Sequence, residues 1–557
     1  MATAAITVCK PAGAPASPPA TAEDDCRRRY QPSVWGDFFI THQQCTPEEL
    51  RCMEDKAGAT KEEVRRIVVA AAASGDLRRK LDLVDTLQRL GMDYHFKEEI
   101  DGLLSALYDD KDGGSDDLYL TSLRFYLLRK HGYAVSSDVF EKFRDQQGNI
   151  SSDDVETLLM LYDAAHVRIR GEGILDNVAS FNKARLRSLL LDTNLPQDLL
   201  EEVRVTLETP RFRRVQRVEA MRFISVYEKS ATRDDTILEF AKLDFNIVQV
   251  LYCKELKHLS MWWKDLRSQV DLSFSRDRLV EMYFWMMGIV FDPHYTYSRI
   301  MLTKTVMFIA LLDDIYDNYS TTEESNIFTA ALERWDEKAA EQIPESLRPF
   351  YRTVLRTVDD VVTELKKQNN KNADVVREMM LHVAKSYHAE VKWRDECYVP
   401  ADVDEHLQVS LDSIAGLQAL MLTWVSLGDV TTREIIEWGI TYPKIVMGFT
   451  VIARVMNDIM SHEREQASDH MASTVQTCMK QYGVTVEEAI EKLREILEKA
   501  WMDMIQDSLE RKYPMELFKK GISFAQTMHF FYKTEDLYTA PSNLKGTLTS
   551  LYTKKFV

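Results

Sequence analysis

From Arg27 onward this sequence runs as one amphipathic helical segment after another, and extended alternating stretches are scarce. That pattern confines the chain to an all-α fold, because apolar residues recurring every three to four positions bury a helix stripe and not a strand face. The segment SLRFYLLRKHGYAVSSDVFEKF from Ser122 is typical. Leu123, Tyr126 and Leu127 share a face, the basic run from Arg129 to His131 suits the negative end of the helix dipole, and Gly132 fits the stop. Ser136, Ser137 or Asp138 can cap a following helix whose buried side carries Val139, Phe140 and Phe143. No short-period repeat signals a solenoid.

A chain of 557 residues exceeds the usual size of one hydrophobic core, so two domains are expected. The polar stretch YEKSATRDDT from Tyr227 separates denser apolar patterns on either side, which puts the helical domains at 27–236 and 237–557. Residues 1–26 read as a disordered tail, rich in Ala and Pro but without the basic character of a transit peptide, and the chain reads as cytoplasmic. Its seven cysteines are odd in number and lack C-x-x-C spacing, which fits a reducing compartment. No stretch reaches the about 18 uninterrupted apolar residues of a membrane span. A formal net charge of -18 argues against nucleic acid as a partner, and an anionic small substrate would need metal ions or local arginines.

The sharpest chemical feature is RIMLTKTVMFIALLDDIYDNYS from Arg299, apolar for two turns and then abruptly acidic. Asp313 and Asp317 are four apart and share a helix face, with Asp314 turned by about 100°. Such a cluster offers the hard oxygen ligands that magnesium takes beside substrate phosphates, although a solvated helix end reads equally well from this motif alone. A second helix, VIARVMNDIMSHEREQ, sets Asn457, Ser461 and Glu465 on one stripe. Its amide, hydroxyl and carboxylate oxygens make a rarer pattern than a pair of acids. A third element, RDRLVEMYFW, brings Arg276 and Arg278, and Arg454 stands one turn before Asn457. Guanidinium groups hold a diphosphate bidentately, though an arginine pair is more often an ordinary ion pair.

These motifs resemble those of plant class I terpene synthases: DDIYD at 313–317, NDIMSHERE at 457–465 and RDR at 276–278. LEFAKLDFN from Leu238, LRFYLLRKHGYAVSSDVF from Leu123 and GEGILD from Gly171 extend the resemblance over nearly the whole chain. It implies a C-terminal class I terpenoid synthase helical bundle and an N-terminal α-barrel-like domain. It further implies three magnesium ions, with manganese able to substitute, held by Asp313, Asp314, Asp317, Asn457, Ser461 and Glu465. Arg276, Arg278 and Arg454, with Asp313, Asp317 and Asn457 through metal, would bind the diphosphate. Trp285 matches an aromatic wall position, and Tyr532, Asp536 and Tyr538 match a segment near the active-site lid. Ser413 to Gly416 corresponds to a broken helix whose carbonyls face the cation, though close helix packing explains its glycine as well.

The implied activity is magnesium-dependent ionisation of farnesyl diphosphate and cyclisation to a sesquiterpene, by a monomer or weak homodimer. A monoterpene synthase acting on geranyl diphosphate is the runner-up, and a catalytically silent helical scaffold the alternative from another class. The sequence departs from the family in three places. Arg27 to Arg29 crowd closer to Trp35, Gln526 stands where an arginine is frequent, and Leu537 follows Asp536 where a glycine is usual.

Overall fold

A computed structural model of the chain describes residues 32–110, 115–191, 195–396, 398–466 and 472–557. The tail at 1–26 and Arg27 to Arg29 lie outside the described residues. Among those described, every regular element is helical and no strand occurs. Helix starts are fixed by local chemistry: Thr46, Thr321, Ser473 and Thr485 close capping boxes with Glu49, Glu324, Gln476 and Glu488.

The segment from Ser122 folds partly as its pattern predicts. A helix over Leu118–Lys130 ends at His131, with Gly132 at φ +77. Phe125 and Leu128 are buried along with Leu123, Tyr126 and Leu127, so the helix is enclosed rather than striped. The next element is a 3-10 helix, Ser137–Phe143, and not an α-helix. Three residues per turn align positions 137, 140 and 143. Phe140 is therefore buried, while Val139, predicted to be inside, is 37 % exposed.

The helix Gln216–Tyr227 ends at the start of the polar stretch, and the carboxylate of Asp234 then caps a 35-residue helix, α1 (Asp235–Gln269), by accepting from the amides of Thr236 and Ile237. The division expected after residue 236 thus falls in the first turn of α1. Packing does not break there. Helix α1 lies against Pro47–Ala73 of the N-terminal half, and one hydrophobic core runs through both halves.

The C-terminal half sets α2 (Leu279–Ile289), α3 (Thr296–Asp314), α4 (Val375–Glu396), α5 (Val403–Ser413), α6 (Gly416–Ser426), α7 (Lys444–Gln466) and α8 (Met515–Tyr532) around a common interior. Following α2, α3, α4, α5, α7 and α8, each packs on the next, and α8 returns to α2, which closes a ring. Every residue of α2 is buried. No single helix among the described residues is long and apolar enough to cross a membrane.

Candidate active site

The helix ring encloses a cavity of about 540 Å³. Its lining combines apolar residues, among them Met282, Val306, Ile309, Phe524 and Met528, with charged and polar ones contributed by the surrounding helices. Helix α3 contributes to this polar lining because its apolar run ends at Leu312. The ladder then widens into a π turn over Ile315–Tyr319, closed by the Ser320 amide donating to the Ile315 carbonyl at 2.9 Å. Such turns insert a residue into the helix and alter where side chains point. Asp313 and Asp317 both line the cavity. Asp314 does not: it is 1 % exposed, and it accepts the Arg276 amide at 2.9 Å and pairs with Arg276 Nε at 2.9 Å.

The two arginines of RDR part company. Arg276 reaches the cavity, pairs with Asp313 at 2.6 Å and lies 5.3 Å from the centre of the Tyr538 ring. Arg278 is fully buried and does not line the cavity. It donates to the carbonyls of Tyr538 at 2.8 Å, Thr539 at 2.9 Å and Asp277 at 2.9 Å. The Arg278 guanidinium thus straps the start of α2 to the 538–539 backbone. The physical reason is that Arg278 is the residue before the first turn of α2, where its backbone leaves the extended loop and carries the side chain inward.

Helix α7 forms the opposite wall. Arg454, Asn457 and Asp458 line the cavity, with Arg454 donating to Asn457 Oδ1 at 2.9 Å and pairing with Asp458 at 2.6 Å. Asp458, which sequence reasoning passed over, also accepts the Thr474 amide at 2.7 Å. Ser461 is buried behind this wall, and its hydroxyl has no hydrogen-bond partner among the described residues. The Glu465 side chain lies outside the described residues.

The aromatic residues expected at the site do meet there. Trp285 stacks on Phe531 at 4.7 Å and meets Tyr538 edge-on at 5.6 Å and Tyr532 at 6.3 Å. Trp285, Tyr532, Asp536 and Tyr538 all line the cavity. Asp536 accepts from Arg464 at 2.7 Å and from the Thr539 amide at 2.9 Å, which ties the segment after α8 to the end of α7. Of the departures from the family pattern, Gln526 faces away from the site and donates to the Phe212 carbonyl of the N-terminal half at 2.6 Å, and Leu537 is buried.

A third wall was missed. Tyr387, Glu390 and Trp393 of α4 line the cavity, and the Glu390 carboxylate accepts from the Ser413 hydroxyl. Their spacing of three along YHAEVKW was the available signal, an acid between two aromatics on one helix face. Ser413 sits where α5 and α6 meet at a 43° bend, with Ala415 in the left-handed region at φ +58. The expected helix break is thus present. Gly416 is also closely packed, since a Cβ there would lie 2.5 Å from Thr450 Cγ2.

The electrostatics of the polar lining are unbalanced. Burial, reinforced by Asp313 and Glu390, pushes the Asp317 carboxyl well above the usual carboxylate range, and Arg276 offsets this only in part. Burial likewise pushes Glu390 up to about 7. Carboxylates that resist ionising together mark a place where cations are wanted. The oxygens of Asp313, Asp317 and Asn457 and the unsatisfied Ser461 hydroxyl are hard donors, and they fit a divalent ion such as magnesium.

The family profile described as "Terpene synthase, N-terminal domain" matches residues 34–207, and "Terpene synthase family, metal binding domain" matches 264–503. An (E)-beta-caryophyllene synthase from Zea mays is 50 % identical over 532 residues, covering 95 % of this chain and 96 % of that protein. A beta-sesquiphellandrene synthase from Sorghum bicolor is 44 % identical, covering 94 % and 95 %. Among solved structures, limonene synthase with 2-fluorolinalyl diphosphate superposes with a TM-score of 0.88 at 28 % identity, covering 95 % of this chain and all of that one. Isoprene synthase from grey poplar, in complex with three Mg2+ ions and dimethylallyl-S-thiolodiphosphate, gives 0.83 at 28 % identity, covering 91 % and 98 %. By its two matched domains and its full-length relatives, this chain belongs to the terpene synthase family.

Proposed function

We propose that the chain is a sesquiterpene synthase that ionises farnesyl diphosphate, releases diphosphate and closes the allylic cation to a sesquiterpene. The observation that carries this is the convergence of Asp313 and Asp317 from α3 with Arg454 and Asn457 from α7 on one apolar, aromatic-walled cavity. Its 540 Å³ falls within the about 300–1,000 Å³ typical of small-molecule sites. The fifteen-carbon substrate is favoured over geranyl diphosphate because relatives at 42–50 % identity are named for fifteen-carbon products, whereas limonene synthase stands at 28 %.

In this reading three magnesium ions are held by Asp313, Asp317, Asn457 and Ser461, together with Glu465 and Asp314 as the family pattern assigns them. Such ions, when bound by these residues, would supply Lewis acidity for the charge that develops on the leaving diphosphate. Arg276 and Arg454 face the cavity from opposite walls and grip the diphosphate oxygens with fixed donors. Arg278 serves by strapping the 538–539 segment. The apolar surface folds the isoprenoid chain and excludes water, which would otherwise capture the cation. Trp285, Tyr532 and Tyr538 line the cavity, and a desolvated cation over an aromatic ring face gains about 2 kcal/mol. The N-terminal half, divided from the catalytic half near residue 236, acts as scaffold. The assembly proposed is a monomer or weak homodimer. Cys45, Cys52, Cys253 and Cys478 are free thiols, which supports a reducing compartment such as the cytoplasm.

Purified protein incubated with magnesium and, separately, geranyl, farnesyl and geranylgeranyl diphosphates tests this by gas chromatography and mass spectrometry. Fifteen-carbon products formed only with metal are the expected result. Ten-carbon products alone would make it a monoterpene synthase, and no product from folded protein would sink the enzymatic reading.

A further inference from the structure

We infer that Glu390 is a positioning residue, which braces the break between α5 and α6 through the Ser413 hydroxyl and so sets where that break presents its carbonyls to the reacting hydrocarbon. The inference rests on the reading of the chain as a farnesyl diphosphate cyclase. Its starting point is a backbone conformation that does not hold itself. Ala415 has φ +58, a region costly for a residue with a Cβ, and such strain persists only where the surroundings over-determine it.

Three holds on the break are visible. On one side, Gly416 is wedged against Thr450 and Phe449 of α7, where even a methyl group would collide. Before the break, the Asp412 carbonyl accepts from Gln418 Nε2 at 3.0 Å, while the Asp412 side chain accepts from Tyr442. Gln418 is seated in turn by His382 of α4 at 2.8 Å. At the break itself, Glu390 of α4 accepts the Ser413 hydroxyl. Of these groups, only Glu390 and the residues of the break also line the cavity.

The consequence lies in the carbonyls. Ile414 donates its amide to Ser410 and Ala415 turns its own to Asp412, while α6 restarts at Gly416. Ser413 and Ile414 thereby lose the ladder partners that a continuous helix would supply, and both line the cavity. A carbonyl dipole fixed toward an apolar cavity stabilises positive charge where it points, and a shift of its aim changes which cation is favoured. Packing alone does not call for a carboxylate at position 390, since burying one is unfavourable and an apolar side chain would fill the space.

The test is Glu390→Leu, Glu390→Gln and Ser413→Ala, each measured by amide hydrogen exchange over residues 410–418 without substrate and by product ratio from farnesyl diphosphate with magnesium. Losing one buried hydrogen bond should speed exchange in that segment about ten-fold and change the ratio of main to minor products several-fold in Glu390→Leu. Ser413→Ala should reproduce both changes, and Glu390→Gln, which keeps an accepting oxygen, should restore both. Unchanged exchange in Glu390→Leu, an unchanged product ratio, or a Gln variant as altered as the Leu variant would each overturn the inference. Should Glu390→Leu fail to fold, Ser413→Ala carries the same readings. A wild-type protein that releases no diphosphate from farnesyl diphosphate would refute the proposed function, while exchange would still decide the brace.

Discussion

Both halves of this molecule bury carboxylates, and one pair in each is treated in opposite ways. In the N-terminal half Glu202 and Glu219 sit among Arg89, Arg214 and Arg222, with contacts of 2.7 to 3.2 Å, and nearby Arg211 pairs with Asp85 at 2.9 Å and Asp163 at 3.1 Å. Burial there is more than offset by the guanidinium groups, so Glu202 is drawn down to about 2 and Glu219 lower still. In the cavity Asp317 and Glu390 are driven up. Arg211 does not offset burial in the same way for Asp163, which burial still raises, so a raised buried acid points to a site only where it also lines a cavity, as Asp317 and Glu390 do. The four acids and four arginines of the N-terminal half form a closed structural network, and the polar cavity lining is arranged to accept cations from outside.

The largest effect that would break this contrast is at Asp313. Replacing it by Ala should lower turnover by about 10³, equivalent to about 4 kcal/mol of transition-state stabilisation, and leave the melting temperature of the metal-free protein unchanged or raised. A steady-state assay of diphosphate release beside a thermal melt checks it. A large fall in melting temperature would mean that the cavity acids are structural after all. The mirror substitution is Glu219→Ala, which leaves Arg89, Arg214 and Arg222 to share Glu202 alone. It should cost about 3 kcal/mol of stability by chemical denaturation, with the product ratio retained in whatever folds.

How much of this contrast could be read in the sequence follows from which part of it is local. That Asp313 and Asp317 line the cavity was legible because an apolar run without Gly or Pro ended in acids four apart. Asn457 was legible because it heads a stripe of hard oxygens on a second helix, although Ser461 of that stripe is buried and does not line the cavity. The π turn that follows Asp314 was not, since nothing in helical spacing signals a widened ladder. Arg278 matched its motif, yet its guanidinium went to the Tyr538 and Thr539 carbonyls, partners more than 250 positions away that no local pattern names. Glu390 had a local signal in the spacing of YHAEVKW, but its meaning comes from Ser413 and Asp317, brought to it by helix packing. Val139 failed on period, because a 3-10 segment turns a residue outward that an α-helix would have buried.

The contrast should also appear in the pH dependence of metal-free stability, with opposite signs. Glu202 has a depressed folded-state value, so its contribution is present above about 4.5 and is lost as pH falls toward about 2. Glu390 has a raised one, so its contribution is present below about 4.5 and is lost as pH rises through about 7. Each amounts to about 3 kcal/mol at most. Denaturant melts in chelator from pH 2 to 8 should therefore decline on both flanks. Glu202→Gln should flatten the acid limb alone, and Glu390→Gln the neutral limb alone. If both variants flatten the same limb, the two regions do not differ in the way described.

The smallest effect is expected at the seam between the halves. Gln526 occupies a position where the family often has arginine, yet its amide donates to the Phe212 carbonyl across the seam and does not line the cavity. Beside it Arg213 grips Glu498 with two contacts of 2.6 and 2.7 Å, so this boundary already holds a strong pair. Gln526→Leu leaves one buried carbonyl without its donor and should cost about 1 kcal/mol, a small drop in melting temperature for a chain of this length. Turnover and product ratio should stay as in the wild type, because the N-terminal network and the polar cavity lining are separate electrostatic systems joined by packing. A changed product ratio in Gln526→Leu would show instead that the seam transmits its geometry through α8, on which Phe524 and Met528 also line the cavity, and the two halves would then have to be treated as one site.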